Sequence, residues 1–341
     1  MEIGSGTVCL VTGGAGFIGL HLCRRLLDEG ASVICLDDMT SGTRDHVDAL
    51  INHPRYSFIL HDVVEPIDLR VDRIFNLACP ASPPAYQADP VKTLMTNVVG
   101  MRNMLELARR NGARVLQAST SEVYGDPLEH PQSESYRGNV DVSGPRACYD
   151  EGKRCAETLI DDYRRLHGAD VRIARIFNTY GPWMREDDGR VVSNFIVQAL
   201  QGHDLTIYGN GSQTRSLCYI DDLVDGLMRL MTHDGPYPGP VNLGNPVEMT
   251  ILELADAVLR QTGSNSAIAH LPMPENDPRV RCPDITRARA VLGWEPRWSV
   301  TDGLAATIDH FRKVLDREAI QAANPPLPPR QPTSAKQSLA R

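Results

Sequence analysis

One run of eight residues constrains the fold of this chain more than any other feature: Thr12-Gly-Gly-Ala-Gly-Phe-Ile-Gly19. It follows an apolar stretch at 8–11 and opens a segment of helical periodicity at 19–29. The spacing Gly14-x-Gly16-x-x-Gly19, with Gly13 as an added turn glycine, permits a tight strand-to-helix turn. With no side chains in the way, a pyrophosphate can approach the backbone N–H groups at the helix start. A glycine triplet alone could be a mere turn, so its surroundings matter. Apolar runs recur at 32–36, 56–60, 73–77, 115–118 and 171–174, with helix-period stretches such as 98–110 between them. Strands that are apolar on both faces and separated by helices belong between two helical layers. The expected fold class is α/β, a Rossmann-type doubly wound parallel sheet.

Two acids extend the glycine signal. Asp37 ends the second apolar run, 18 residues after Gly19, where a carboxylate can hold adenosine ribose hydroxyls and repel a 2′-phosphate. His61-Asp62-Val63 ends the third run, a natural place for Asp62 to meet the adenine amine. The plainer alternative is that both acids only cap strand ends. The expected cofactor is NAD, held by Gly13, Gly16, Phe17, Ile18, Gly19, Asp37, Asp62, Val63 and Ala78, together with Tyr149 and Lys153.

Tyr149-Asp-Glu-Gly-Lys153 supplies chemistry, because residues four apart share one helix face. A free phenol has a pKa of about 10, too high for a base at neutral pH. A neighbouring ammonium favours the phenolate, and Lys153 can also reach the nicotinamide ribose. Ala118-Ser-Thr-Ser-Glu-Val-Tyr-Gly125 places hydroxyls at the carboxyl edge of the sheet, where a doubly wound fold binds its ligand.

Beyond residue 176 the pattern is irregular, with helices expected at 192–200, 221–231 and 251–261. The expected organisation is a dinucleotide-binding domain from 1–177 and 215–245, and a smaller, discontinuous α/β domain for the substrate from 178–214 and 246–315. Residues 316–341 read as a polar, Pro-rich disordered tail. The net charge of −8 argues against a nucleic-acid partner. Eight cysteines without C-x-x-C or zinc spacing suggest no metal site and a reducing compartment. The absence of a leader or a bilayer-length apolar run suggests no membrane partner and a cytoplasmic location.

The glycine turn, the Ser-Thr run before Val-Tyr-Gly and the Tyr-x-x-x-Lys together resemble the extended short-chain dehydrogenase/reductases that act on nucleotide sugars. Within them the chain is similar to the UDP-glucuronic acid decarboxylases (UDP-xylose synthases). The stretches that carry this include Leu77-Ala-Cys-Pro-Ala-Ser-Pro-Pro, Gly144-Pro-Arg-Ala-Cys-Tyr-Asp-Glu-Gly-Lys-Arg and Ala174-Arg-Ile-Phe-Asn-Thr-Tyr-Gly-Pro. Others are Asp188-Gly-Arg-Val-Val-Ser-Asn-Phe-Ile, Gln213-Thr-Arg-Ser and Val241-Asn-Leu-Gly-Asn.

The resemblance implies oxidation of UDP-glucuronic acid at C4, loss of the C6 carboxylate and re-reduction to UDP-xylose. Thr120 would bond the sugar O4, Tyr149 would be the base, Lys153 its support, and Glu122 would lie beside C5–C6. Tyr86, Asn178, Val192, Asn194, Tyr208, Gln213 and Arg215 would hold the substrate. Arg281 would face the diphosphate or the glucuronyl carboxylate, unless it is only a surface arginine on a Pro-flanked loop.

A 4,6-dehydratase of the same superfamily would want an acid directly after the Thr, where Ser121 stands. A 4-epimerase would not need Glu122, and an inactive NAD-sensing scaffold would be expected to lose Tyr149 or Lys153. Met95 and Arg137 depart from the family pattern and put details of substrate binding in question. Leu105, Ala108, Ala156, Leu159, Ile160 and Tyr163, at helical spacing, could be plain core, but the superfamily resemblance implies that they pair in a homodimer, and a homodimer is the expected assembly.

Overall fold

The computed structural model describes residues 2–272 and 280–323. Six strands appear in order: β1 (Val8–Thr12), β2 (Ser32–Asp37), β3 (Tyr56–Leu60), β4 (Arg73–Asn76), β5 (Arg114–Thr120) and β6 (Val171–Ile176). With Pro240–Leu243 they form one sheet, in the order Pro240–Leu243, β6, β5, β4, β1, β2, β3. Every pairing in it is parallel. All strands therefore end at one edge, which gathers Thr12, Asp37, Asn76 and Thr120.

Alternation along each strand feeds two cores. Cys9, Val11, Phe75, Leu116 and Ala174 point to one face, where they meet Leu20, Leu22, Leu223 and Leu227. Leu10, Ile74, Val115 and Ile173 point to the other, against Met101, Met104, Leu105, Leu107, Ala156 and Ile160. Each Val, Leu, Ile, Phe or Met among them contributes about 1.5–3 kcal/mol when taken fully from water, and the period-two alternation fixes the register. Leu105, Ala108, Ala156 and Ile160 are thus core of this chain rather than a free face.

The helix expected at 98–110 begins with a π turn, Thr96–Gly100, after the helix Pro90–Met95. Short strand pairs lie outside this sheet. Leu205–Tyr208 pairs with Ile268–Leu271, and Thr214–Ser216 pairs with Glu248–Thr250. Thr250 and Glu253 form a reciprocal capping box that starts the helix Ile251–Thr262. The last helix, Val300–Ala323, runs past the tail boundary expected at 316, because Leu304, Ile308 and Phe311 anchor its buried stripe. The rest of the expected tail lies outside the described residues. Among the described residues no helix is long and apolar enough to cross a membrane.

Candidate active site

A cleft of about 470 Å³ opens at the carboxyl edge of the sheet. The glycine turn forms one wall. Gly13 has φ +67°, and a Cβ there would lie 2.8 Å from the Ala78 nitrogen. A Cβ on Gly19 would collide with the Gly13 carbonyl oxygen, so helix and turn approach only without side chains. Gly16 caps the helix Phe17–Asp28 with no side-chain bond, which leaves the first-turn donors for an anion.

Asp37 does more than cap a strand. Its Oδ2 accepts from Ala15 N at 3.0 Å and its Oδ1 from Met39 N at 2.8 Å, tying the strand end to the glycine turn. Burial pushes its carboxyl up, and those two bonds oppose the shift. At the next strand end, Lys92 lies 2.5 Å from Asp38 and 3.3 Å from Asp62. Three acids and one lysine around the cleft fit an adenosine ribose and disfavour an added 2′-phosphate. The cradle and its donor set fit NAD.

The reactive end begins where β5 stops. Lys153 is buried and donates to the Ala118 carbonyl at 2.8 Å, and its ammonium is 5.7 Å from the Tyr149 ring centre. Tyr149 stacks on Tyr86, with ring centres 5.1 Å apart and planes 11° from parallel. Thr120 lies in hydrogen-bonding reach of the Tyr149 phenol. Burial raises that phenol well above its ordinary range, and the Thr120 bond only partly opposes it. The expected ammonium-lowered phenol is therefore not what this structure shows. Lys153 is itself pushed down by burial and points its charge at a carbonyl.

The third part of the site is ionic. The turn Ser121–Tyr124 swings Glu122 inward, and Gly125 (φ +64°) closes it where a side chain would strike the Asn139 backbone. Arg281 forks onto both Glu122 oxygens, and Arg146 Nη2 donates to Oε2 at 2.6 Å. Arg281 is only 8% exposed, so it is not a surface arginine. Burial alone would raise the Glu122 carboxyl, but the two guanidiniums hold it below the usual range. Arg281 is fixed by its neighbours: Gln132 N donates to the Cys282 carbonyl at 2.8 Å, and Cys282 N to Gln132 Oε1 at 2.9 Å.

All eleven residues expected to hold the cofactor line the cleft, Tyr149 and Lys153 among them, as do Thr120, Glu122 and Asn178. Tyr86 is reached through its stack on Tyr149, and Arg281 through Glu122. Val192, Asn194, Tyr208, Gln213 and Arg215 are not among the lining residues. Val192 turns into the core, Tyr208 and Gln213 bond to each other at 2.8 Å, and Arg215 donates to the Thr214 carbonyl. Lys92, Arg185 and Arg190 line the cleft unforeseen. Only a basic type near a predicted strand end could have hinted at them. Met95 and Arg137 do not line it, so those departures sit away from the walls.

The model of the NAD dependent epimerase/dehydratase family matches residues 9–244. UDP-glucuronic acid decarboxylase 5 of Arabidopsis thaliana is 56% identical over 304 residues, 89% of each chain. UDP-glucuronic acid decarboxylase 1 of Xenopus tropicalis is 51% identical over 332 residues, 97% of this chain and 78% of the relative. Among solved structures, UDP-glucuronic acid 4-epimerase from Bacillus cereus, in complex with UDP-glucuronic acid and NAD, superposes with a TM-score of 0.82. It is 27% identical and the match covers 90% of this chain and 100% of that one. Fingerprint, Tyr–Lys pair and relatives agree: the chain belongs to the NAD dependent epimerase/dehydratase family and, within it, to the UDP-glucuronic acid decarboxylases.

Proposed function

We propose that this enzyme converts UDP-glucuronic acid to UDP-xylose and CO₂. The observation that carries this is the buried Glu122–Arg146–Arg281 cluster beside Thr120 and Tyr149. Two guanidiniums in a buried pocket offer positive charge to a sugar carboxylate, with Arg281 Nε still without a partner among the described residues, at the side of a residue pair suited to oxidising a neighbouring hydroxyl.

Bound NAD, held by the glycine turn and Asp37, supplies the acceptor for the C4 hydride and later its return. The positive charge that bound NAD would bring to the cleft opposes the burial that holds the Tyr149 phenol protonated, so Tyr149 can take the O4 proton while Thr120 holds the phenol in place. The resulting C4 ketone stands two carbons from the C6 carboxylate, so loss of CO₂ leaves its electrons on an enolate. Protonated Tyr149 and Thr120 then donate to that oxygen. Arg281 and Arg146 hold the carboxylate before it leaves. A proton replaces it at C5, and Tyr149 returns its own proton to O4.

Ser121, buried and without an acidic group, does not suit the 4,6-dehydratase reaction. Asn178, Arg185 and Arg190 offer the cleft's polar contacts to the nucleotide phosphates. Tyr208, Gln213 and Arg215 serve the uridine end only if those strand pairs close on substrate.

The expected location is cytoplasmic, consistent with eight free cysteines. A homodimer would have to use what the core leaves: half-buried Leu159 and Tyr163 and the 77% exposed Leu166. Light scattering on the purified protein decides the assembly.

Incubation of the enzyme with UDP-glucuronic acid and catalytic NAD should give CO₂ and a UDP-pentose by mass, with no net NADH. A product of unchanged mass would instead mark a 4-epimerase.

A further inference from the structure

Four charged side chains gather behind Tyr149. Glu122, Arg146 and Arg281 are joined by ion pairs, but Asp150 stands apart from them. It is 6% exposed, and its Oδ1 finds no hydrogen-bond partner among the described residues. The groups facing it come from every side. Glu122 projects from the turn after β5, and Arg281 from the loop pinned by Gln132. Arg146 and Glu151 belong to its own segment, while the Tyr86 phenol comes from the helix Pro83–Ala88. Tyr86 Oη also lacks a partner among the described residues. Buried polar atoms are nearly always paired, so two orphans beside one formed cluster mark a place where something is still to bind or change.

Charge counting says what changes. Among the described residues two guanidiniums face two carboxylates, so these four charges cancel without ligand. A ligand carboxylate adds a third anion against two cations in a region with little water. An uncompensated charge there is expensive, and one carboxylate must take a proton. Glu122 cannot, being forked by Arg281 and bonded by Arg146. Asp150 has no such hold, and burial together with Glu122 already pushes its carboxyl up to about 7.

We propose that Asp150 takes up one proton from solvent when a nucleotide sugar bearing a carboxylate binds, keeping the pocket neutral and making the site selective for that acid. This rests on the carboxylate-binding role proposed for Arg281 and Arg146. The step forms an O–H bond on Asp150 and breaks none in the ligand. The protonated carboxyl becomes a donor, so the third anion meets an added hydrogen-bond donor rather than a third negative charge. Because binding is coupled to one proton, affinity for the acid falls up to about tenfold for each pH unit above the free-state value.

The test is calorimetric titration of the NAD-loaded Tyr149→Phe enzyme, which binds without turning over, in two buffers of different ionisation enthalpy at about pH 8. UDP-glucuronic acid should bind with uptake close to one proton and UDP-glucose with none. Adding Asp150→Asn should abolish the uptake for the acid. At about pH 5.5, where Asp150 is protonated before binding, uptake in the parent should approach zero. That arm decides the matter if the Asn variant does not fold. Undiminished uptake in Asp150→Asn, uptake persisting at low pH, or equal uptake with UDP-glucose would overturn the proposal. Turnover by the wild-type enzyme together with proton-free binding of UDP-glucuronic acid to the Tyr149→Phe enzyme sinks the Asp150 role alone. Absence of both turnover and binding sinks the decarboxylase reading as well.

Discussion

The two ends of the cleft are built by different means. At the adenosine end, backbone does most of the work: a turn with no room for side chains, a helix start without a side-chain cap, and one buried acid bonded to two amides. At the sugar end, the site consists of charged side chains brought from the turn after β5, the residue before a helix, and a loop pinned by Gln132. A backbone cradle accepts any pyrophosphate of the right shape. A charge cluster reads one functional group and leaves its own members costly when unpaired. On the proposed reading, the first end anchors a ligand shared across a family, and the second selects the sugar.

The largest effect should come where the two ends meet. Tyr149→Phe removes the proton acceptor and should lower kcat by about 10²–10⁴-fold. Titration should show both NAD and substrate still bound. Loss of either ligand would mean that Tyr149 holds the cleft together rather than serving its chemistry.

Arg281→Met should separate the ends. Leaving Glu122 with one cation in place of two costs at most the roughly 3–5 kcal/mol typical of a broken buried pair, and less here because Arg146 remains. Denaturant unfolding should register that loss, while NAD affinity in the folded variant stays unchanged. A matching fall in NAD affinity would erase the distinction between the ends.

The converse is Gly19→Ala. Its new methyl meets the Gly13 carbonyl, an overpacking worth about 1–3 kcal/mol. NAD binding should weaken, while the Arg281–Glu122 cluster keeps its contribution to stability.

The smallest effect is pH-linked. His21 and His310 are each pushed down to about 4, chiefly by burial, and His46 is lowered as well. His46 and His310 both pack against Trp183, and His46 Nδ1 is 2.8 Å from the Ala15 carbonyl of the glycine turn. The unfolded chain takes up these protons near the ordinary 6.5, while the fold resists them until about 4. Stability is therefore full above about pH 6.5 and falls as pH drops through that window. Melting temperatures should show the loss, and His310→Gln should flatten it. An unchanged slope in that variant would remove His310 from the account.

How much of this could be read from sequence follows the same division. The glycine turn, Asp37, Thr120, Tyr149 and Lys153 were legible because each lies within a few residues of the strand or helix end that positions it. The sheet was legible for the same reason, since its strands are short apolar runs. Lys92 was not, because its acids Asp38 and Asp62 lie far from it in sequence. Arg281 was named from a resemblance, but its fork onto Glu122 depends on Gln132, 150 residues away from Cys282. Arg146 was quoted within a motif and given no role, because nothing local shows that it faces Glu122. Helical spacing also could not tell a dimer face from a core for Leu105 and Ala156, since both present the same stripe.

The most direct test of the central claim is a comparison of two ligands at the ionic end. The NAD-loaded Tyr149→Phe enzyme is titrated with UDP-glucuronic acid and with UDP-glucose, before and after adding Arg281→Met. The account predicts that the second substitution weakens the acid strongly and the neutral sugar little, so the preference for the carboxylate collapses. Equal weakening of both ligands would contradict it, because Arg281 would then be supporting the fold rather than reading the sugar.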